Sequence, residues 1–414
     1  MVSDNLLRVH ARHWAASFDV CCILDTNAYS DGYGEYDLLI AAGAKESITC
    51  TAGTAFNSLK EFYKKNWVFG FLAYDLKNET EQLGSSNFDG LAFPDLFFFT
   101  PEYLLGWKGG TLHILIGPAN LATTILEFPL MTPGPSSVNI QARLTKQEYI
   151  AQVNTIQKHI QKGDCYEVTF CQEFYDSGAV IDPLATYQRL NTISPAPFSA
   201  FFKKDQQFII SASPERYLSK RGNKLVSQPI KGTAKRSLKS DDDTLIKEKL
   251  KTDLKEQTEN VMIVDLVRND LTRCAVPGTV KVEELFGIYT FPQVHQMIST
   301  VSCQIAPELH PVGAIKNTFP MGSMTGAPKI KAMEIIEEVE SSRRGVYSGA
   351  VGYINPQGNF DFNVVIRTIL YNADKKYLSF HTGGAITYSS DPEAEYEECL
   401  LKGSAMIKTI KGLR

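Results

Sequence analysis

Between Tyr149 and Ile160 apolar side chains return at helical spacing, as Tyr149, Ile150, Val153, Ile156 and Ile160. Thr145 and Glu148 stand at capping-box spacing before the run and Gly163 closes it, so the pattern predicts one amphipathic helix with both ends marked. The period then drops to two. Tyr166, Val168, Phe170, Gln172 and Phe174 fall on one side of an alternating segment, which predicts a strand with a mixed face. Further strands are predicted at Phe208-Ile209-Ile210, from Ala350 to Ile354 and at Val364-Val365-Ile366. Further helices are predicted from Asp241 to Asp265, from Ala327 to Val339 and from Pro392 to Ile410. The elements follow in mixed order without a repeated βαβ rhythm, which favours α+β over a doubly wound sheet.

One composition shift divides the chain. Thr132-Pro133-Gly134-Pro135-Ser136-Ser137 reads as a connecting loop between an aromatic-rich region, 1–132, and a region, 145–410, that holds the candidate chemistry. A formal net charge of −4 gives no global attraction to nucleic acid or an anionic membrane, so any anion must be caught by a local group of cations. The most apolar segment, Leu91 to Leu105, is interrupted by Pro94, Asp95, Pro101 and Glu102 and is no membrane span. Met1-Val2-Ser3-Asp4 lacks the basic start and apolar run of a signal peptide, and the eight cysteines show no CxxC spacing. Zinc and disulfide frameworks are thereby disfavoured, and the expected compartment is the cytoplasm.

Two acidic pairs stand out. Glu256 and Glu259 are three apart in a helical stretch, so both project from one face. Glu395 and Glu398 repeat the spacing in the last helix, with Asp391 as a candidate cap and Pro392 at its first position. Four carboxylates converging from two helices suit Mg²⁺, which takes one or two protein carboxylates and completes its shell with water and ligand oxygens. Spacing alone favours solvated helix surface, with Glu398 and Lys402 as an ordinary i,i+4 pair.

Candidate anion contacts lie nearby in sequence. Gly322 to Lys329 is a loop entering a helix, whose first N–H groups are free. Gly383-Gly384 would let backbone approach a ligand, and Arg367 could grip a carboxylate in a two-point fork. Glu215, after Ser213-Pro214, is a candidate general acid if burial raises its pKa. Lys231, between Pro229-Ile230 and Gly232-Thr233, is a candidate nucleophile; Lys235 and Arg236 would favour its neutral amine and nearby glutamates would oppose it. Taken singly, glycines most often just make turns, and an arginine or lysine is more often a surface charge.

Taken in order, these segments resemble the chorismate-utilising enzymes, and within them the C4-aminating branch, the aminodeoxychorismate synthase large subunits. The matching text runs from about Thr145 to Lys408. It includes Gly163-Asp164-Cys165-Tyr166, Ser213-Pro214-Glu215-Arg216, Pro229-Ile230-Lys231-Gly232-Thr233, the Glu259 to Leu271 stretch and the Gly322 to Lys329 loop. Arg344-Gly345-Val346-Tyr347-Ser348-Gly349, Ile366-Arg367-Thr368 and Glu395-Tyr396-Glu397-Glu398 complete it, and Gly70 to Asp75 looks like an N-terminal Gly-x-x-x-Tyr-Asp signature. The resemblance implies an α+β unit in which two antiparallel sheets pack together with helices outside, the N-terminal region sharing the sandwich.

It also implies roles. Glu259 and Glu398 would bind Mg²⁺ directly, with Glu256 and Glu395 close behind. Tyr347, Arg367, Lys402, Thr233, Thr325, Gly326 and the Gly383-Gly384 backbone would hold chorismate, and Glu215 would protonate the departing C4 hydroxyl. Lys231 would attack C2, directing ammonia to C4; anthranilate synthases have alanine there and add ammonia at C2. Ammonia would come from a separate glutamine amidotransferase subunit, and a separate aminodeoxychorismate lyase would follow. Anthranilate synthesis and a degenerate protein that binds chorismate or a partner without turnover are the alternatives. Three departures mark this chain. Glu167 stands where the family usually has glutamine, Gln296 stands in the place of a histidine with His295 one position earlier, and Ala385 replaces a third glycine.

Overall fold

The computed structural model describes residues 4–29, 32–237, 239–291 and 294–413. Its strands form one continuous antiparallel ribbon folded back on itself. From Gln141–Ala142 and Gly326–Ala327, both paired to Glu167–Asp176, the ladder passes through Tyr377–Ile386, Thr368–Asn372 and Gln207–Ser213. It continues through Phe198–Lys204, Val20–Asp25 and Leu38–Cys50 to Leu96–Lys108, which also carries Thr111–Ile116. The second half runs through Val68–Leu72, Ala350–Ile354, Phe360–Asn363, Arg216–Arg221 and Lys224–Gln228 to Val294–Gln304, flanked by Ile230–Lys235 and Lys281–Thr290.

The corner between the halves lies in the two long strands. Gly43, at φ +70°, and a register shift between Ala44 and Glu46 bulge Leu38–Cys50 against Leu96–Lys108, as a bend in a long strand requires. The inner faces then meet. Phe202 packs edge-on against Phe71, Phe97 and Phe99 from the other half, at ring separations of 5.4 to 6.0 Å. Outside, helices Asp4–Ala16, Lys146–Lys162, Pro183–Ile193, Lys329–Val339 and Pro392–Ile410 cover one half through Trp14, Tyr149, Tyr187, Ile335 and Cys399. Helix Leu254–Thr272 lies on the other, with Ile263 and Leu271 in the same core as Val301 and Cys303. This is the α+β double-sheet architecture expected from the resemblance. Strands from 1–132 pair directly with strands from 145–410.

Several local expectations hold and others do not. Thr145 and Glu148 form the capping box of Lys146–Lys162, and Gly163 ends it at φ +85°. Asp391 caps Pro392–Ile410 through the Ala394 N–H. The expected helix from Asp241 to Asp265 is two helices, Ser240–Thr252 and Leu254–Thr272. The break falls at Asp253, which has extended backbone and caps the second helix by accepting from the N–H groups of Lys255 and Glu256. Val364-Val365-Ile366 is a buried connection rather than a strand. The alternating segment at 166–174 is buried on both faces from Glu167 to Phe174, because helices cover one side and the facing sheet the other, while Tyr166 is exposed outside the strand. The helix expected from Ala327 starts at Lys329, since Ala327 pairs with Glu167 and Pro328 takes the cap position.

Candidate active site

The Asp253 break sets the direction of one wall. With Asp253 as cap, Glu256 and Glu259 occupy the first turns of Leu254–Thr272; Glu395 and Glu398 occupy the first turns of Pro392–Ile410. Glu256 and Glu395, in the first turns, lie near the positive ends of their helix dipoles. The two pairs converge on Lys255, whose ammonium lies 3.8 Å from Glu259 and 3.9 Å from Glu395. Burial pushes Glu259 up to about 7, with Lys231 pulling partly back, and burial also raises Glu256 and Glu395. Glu398 is pushed up by burial too, but the Lys402 ammonium at 2.6 Å brings it below the ordinary glutamate value.

Among the described residues, no three acidic, histidine or cysteine side chains stand as a closed metal cage. The donors nonetheless fit a hard cation that keeps water and ligand oxygens in its shell. Glu259 Oε1 is buried without a hydrogen bond, and a lysine already bridges the two helices between carboxylates.

Lys231 supplies the next wall. It projects from Ile230–Lys235, and its Nζ lies 2.7 Å from Oε1 of Glu167, which is fully buried at the start of Glu167–Asp176. Burial alone would depress the ammonium; Glu167, Glu259 and Glu215 more than offset it, so its pKa is raised. Glu215 is buried in the turn before Arg216–Arg221, where its N–H is bonded to Ser213 Oγ. Burial lifts its carboxyl to about 7 against the opposing pull of Ser323 and Lys231. Gly326, at φ +150°, is obligatory beside this corner: a Cβ there would stand 2.1 Å from the Glu167 carbonyl oxygen.

Arg367, Tyr347 and Lys402 form the third wall. Arg367 donates Nη1 to the Lys402 carbonyl at 2.8 Å and, among the described residues, makes no ion pair with a carboxylate. Its backbone sits at φ 52°, a strained value for a side chain of this size. Tyr347 stacks on His381 at 4.8 Å and its hydroxyl lies 3.3 Å from Cys171 Sγ. Lys402 donates to the Gly383 carbonyl at 2.8 Å. Gly383 and Gly384 lie inside Tyr377–Ile386 rather than after it, and a Cβ on Gly384 would fall 2.8 Å from Glu395 Oε2 and 3.9 Å from Glu398 Oε1. That glycine keeps the carboxylate wall open.

The other expected contacts are less direct. Thr325 is buried with its hydroxyl on the Gly322 carbonyl, and Thr233 is exposed, opposite Gln296. His295 is buried between Asp243 and Thr290, 3.0 Å from each, and fastens helix Ser240–Thr252 to the sheet. Gln296 is buried with its Oε1 unpartnered. Sequence reasoning missed Lys255; its i,i+4 relation to Glu259 was the available signal. It noted Glu167 only as an unexplained charge. A separate cavity of about 150 Å³ between the sheets, bordered by Tyr29, Tyr36 and Asp361, contains none of these residues.

A model of the chorismate binding enzymes matches residues 21–408, and the chain belongs to that family. It is 33% identical over 413 residues to aminodeoxychorismate synthase component 1 of Salmonella typhimurium, covering 92% of this chain and 90% of that protein. It is 39% identical over 285 residues to aminodeoxychorismate synthase of Streptomyces griseus, covering 69% of this chain but only 38% of that longer protein. Among solved structures, anthranilate synthase component I of Streptococcus pneumoniae superposes with a TM-score of 0.79 at 25% identity, covering 91% of this chain and 93% of that one. Among the described residues, no helix is long and apolar enough to cross a membrane.

Proposed function

We propose that this chain aminates chorismate at C4 to give 4-amino-4-deoxychorismate, with ammonia as the nitrogen source. The observation that carries the reading is the Lys231 amine, buried in the site and electrostatically coupled to Glu167, Glu259 and Glu215. Arg367, which among the described residues makes no ion pair with a carboxylate, is suited to one carboxylate of a dicarboxylic substrate. Glu259 and Glu398, with Glu256 and Glu395 behind them, would hold Mg²⁺, which when bound neutralises the other carboxylate and orients the ring.

Glu215, raised to about 7, is poised to donate a proton to the departing C4 hydroxyl. Lys231 forms a bond to C2 as that hydroxyl leaves, and the shifted double bonds then make C4 the place for ammonia to add and expel the lysine. The ring is left intact for a separate lyase. In the cell the ammonia would come from a glutamine amidotransferase subunit, in keeping with the component 1 designation of the Salmonella relative.

The similarity to an anthranilate synthase keeps amination at C2 as the second reading, which Lys231 opposes. Product analysis by mass spectrometry separates them, with chorismate, Mg²⁺ and ammonium at mildly alkaline pH. A 4-amino-4-deoxychorismate peak without pyruvate is the expected outcome. Anthranilate with stoichiometric pyruvate would establish the second reading, and no turnover with a glutaminase present would leave a binding protein.

A further inference from the structure

A lysine nucleophile needs its lone pair, and this one is surrounded by anions that keep it protonated. Four carboxylates act on Lys231 from four elements. Glu167 comes from the start of Glu167–Asp176, Glu215 from the turn before Arg216–Arg221, Glu259 from Leu254–Thr272 and Glu398 from Pro392–Ile410. Glu215 is needed as an acid, so it must hold its proton when chorismate arrives. Glu259 and Glu398 belong to the cation wall. Among the described residues, Glu167 alone hydrogen-bonds the lysine, at 2.7 Å.

The second oxygen of Glu167 strengthens the case. Oε2 is buried, and among the described residues it has no hydrogen-bond partner. That oxygen can carry a proton without giving up a protein hydrogen bond. The glutamine usual at this place in the family could accept a hydrogen bond from the lysine but could not accept its proton.

We propose that Glu167 is a catalytic residue, the base that takes a proton from the Lys231 ammonium and returns it at the end of the cycle. The proposal rests on the C4-amination reading. Lys231 passes one proton to Glu167, and the freed lone pair forms the N–C2 bond. The two ring double bonds each shift one place, the C4–O bond breaks, and the hydroxide leaves as water with the proton from Glu215. The lysine nitrogen is now a secondary ammonium. Ammonia forms the C4–N bond, the double bonds return and the C2–N bond breaks, releasing a neutral lysine amine that recovers its proton from Glu167. Ammonia that arrives as ammonium leaves its surplus proton on Glu215, so every group returns to its starting state without oxidant or reductant.

The test compares turnover against pH for wild type and Glu167→Gln, with products identified by mass spectrometry. Loss of a general base predicts at least a roughly tenfold fall in kcat at pH 7 with little change in KM for chorismate. The deficit should shrink as pH rises and hydroxide takes over the deprotonation, a pH dependence that a purely structural role would not produce. If Glu167→Gln does not fold, Glu167→Ala with added formate carries the test, since a small carboxylate restores a missing base but not a missing packing group. Wild-type turnover in either folded variant, or a pH-independent deficit together with no response to formate, overturns the proposal while leaving C4 amination standing. Absence of 4-amino product from the wild type removes the underlying reaction, and the base with it.

Discussion

Of the three lysines that face carboxylates in this site, Lys255 and Lys231 are held in opposite ways. Lys255 has a half-exposed side chain, and its ammonium sits 3.8 and 3.9 Å from Glu259 and Glu395, contacts too long for hydrogen bonds. Lys231 is 11% exposed and bonded to Glu167 at 2.7 Å. Both have pKa values raised by surrounding glutamates. Charge therefore does not distinguish them; burial and contact length do. A cation that can swing into water is a placeholder, which a divalent ion can displace. A cation locked against one buried acid inside the pocket suits the reagent proposed above. On the proposed reading, the same residue types would serve a cation wall and a nucleophile corner within one pocket.

The comparison can be broken most sharply at Lys231. Lys231→Ala should lower formation of 4-amino-4-deoxychorismate by on the order of a thousandfold, as removal of a covalent nucleophile does. Near-normal 4-amino product from that variant would remove the covalent role.

A smaller loss, about a hundredfold in kcat, is expected for Glu215→Gln. This variant carries a second readout in stability. The folded-state pKa of Glu215 lies at about 7, above the ordinary 4.5, so its ionisation costs nothing at low pH. The cost grows as pH rises past 4.5 and levels off above about 7, reaching ~3 kcal/mol. Glu215→Gln should therefore be more stable than wild type at pH 8 and nearly equal to it at pH 4.5, measured by denaturant unfolding. Equal stability at both pH values would show that Glu215 ionises freely. The least effect belongs to Lys255. Lys255→Ala should keep most of the turnover and tighten the apparent Mg²⁺ affinity severalfold, because a competing cation is gone. Weakened Mg²⁺ dependence would instead make Lys255 part of the ion's support.

How much of this was legible in the chain depended on range. The helix Pro392–Ile410 was read to the residue because its signals are adjacent: Asp391 as cap and Pro392 at the first position. Asp253 was missed as a boundary because charged residues on both sides keep helical spacing, and only its extended backbone marks the cap. Val364-Val365-Ile366 has a strand's composition, but its neighbours bury it without the ladder a strand needs. The site was legible as a set of residue types, through the resemblance, and not as contacts. Glu167 and Lys231 meet across 64 positions, and no local pattern encodes that. Lys255 was within reach of helical arithmetic and was passed over.

The folded-back ribbon also bears on how the chain is made. Phe71 pairs in register opposite Val351, and Ile23 opposite Phe201. A ribosome delivers the phenylalanine-rich strands near the N-terminus long before their partners exist, at roughly 5–20 residues per second. Until then Phe69, Phe71, Phe97 and Phe99 have no completed sheet to cover them. Such exposed apolar strands are prone to aggregation, and the carboxylate wall is complete only once helix Pro392–Ile410 has been made.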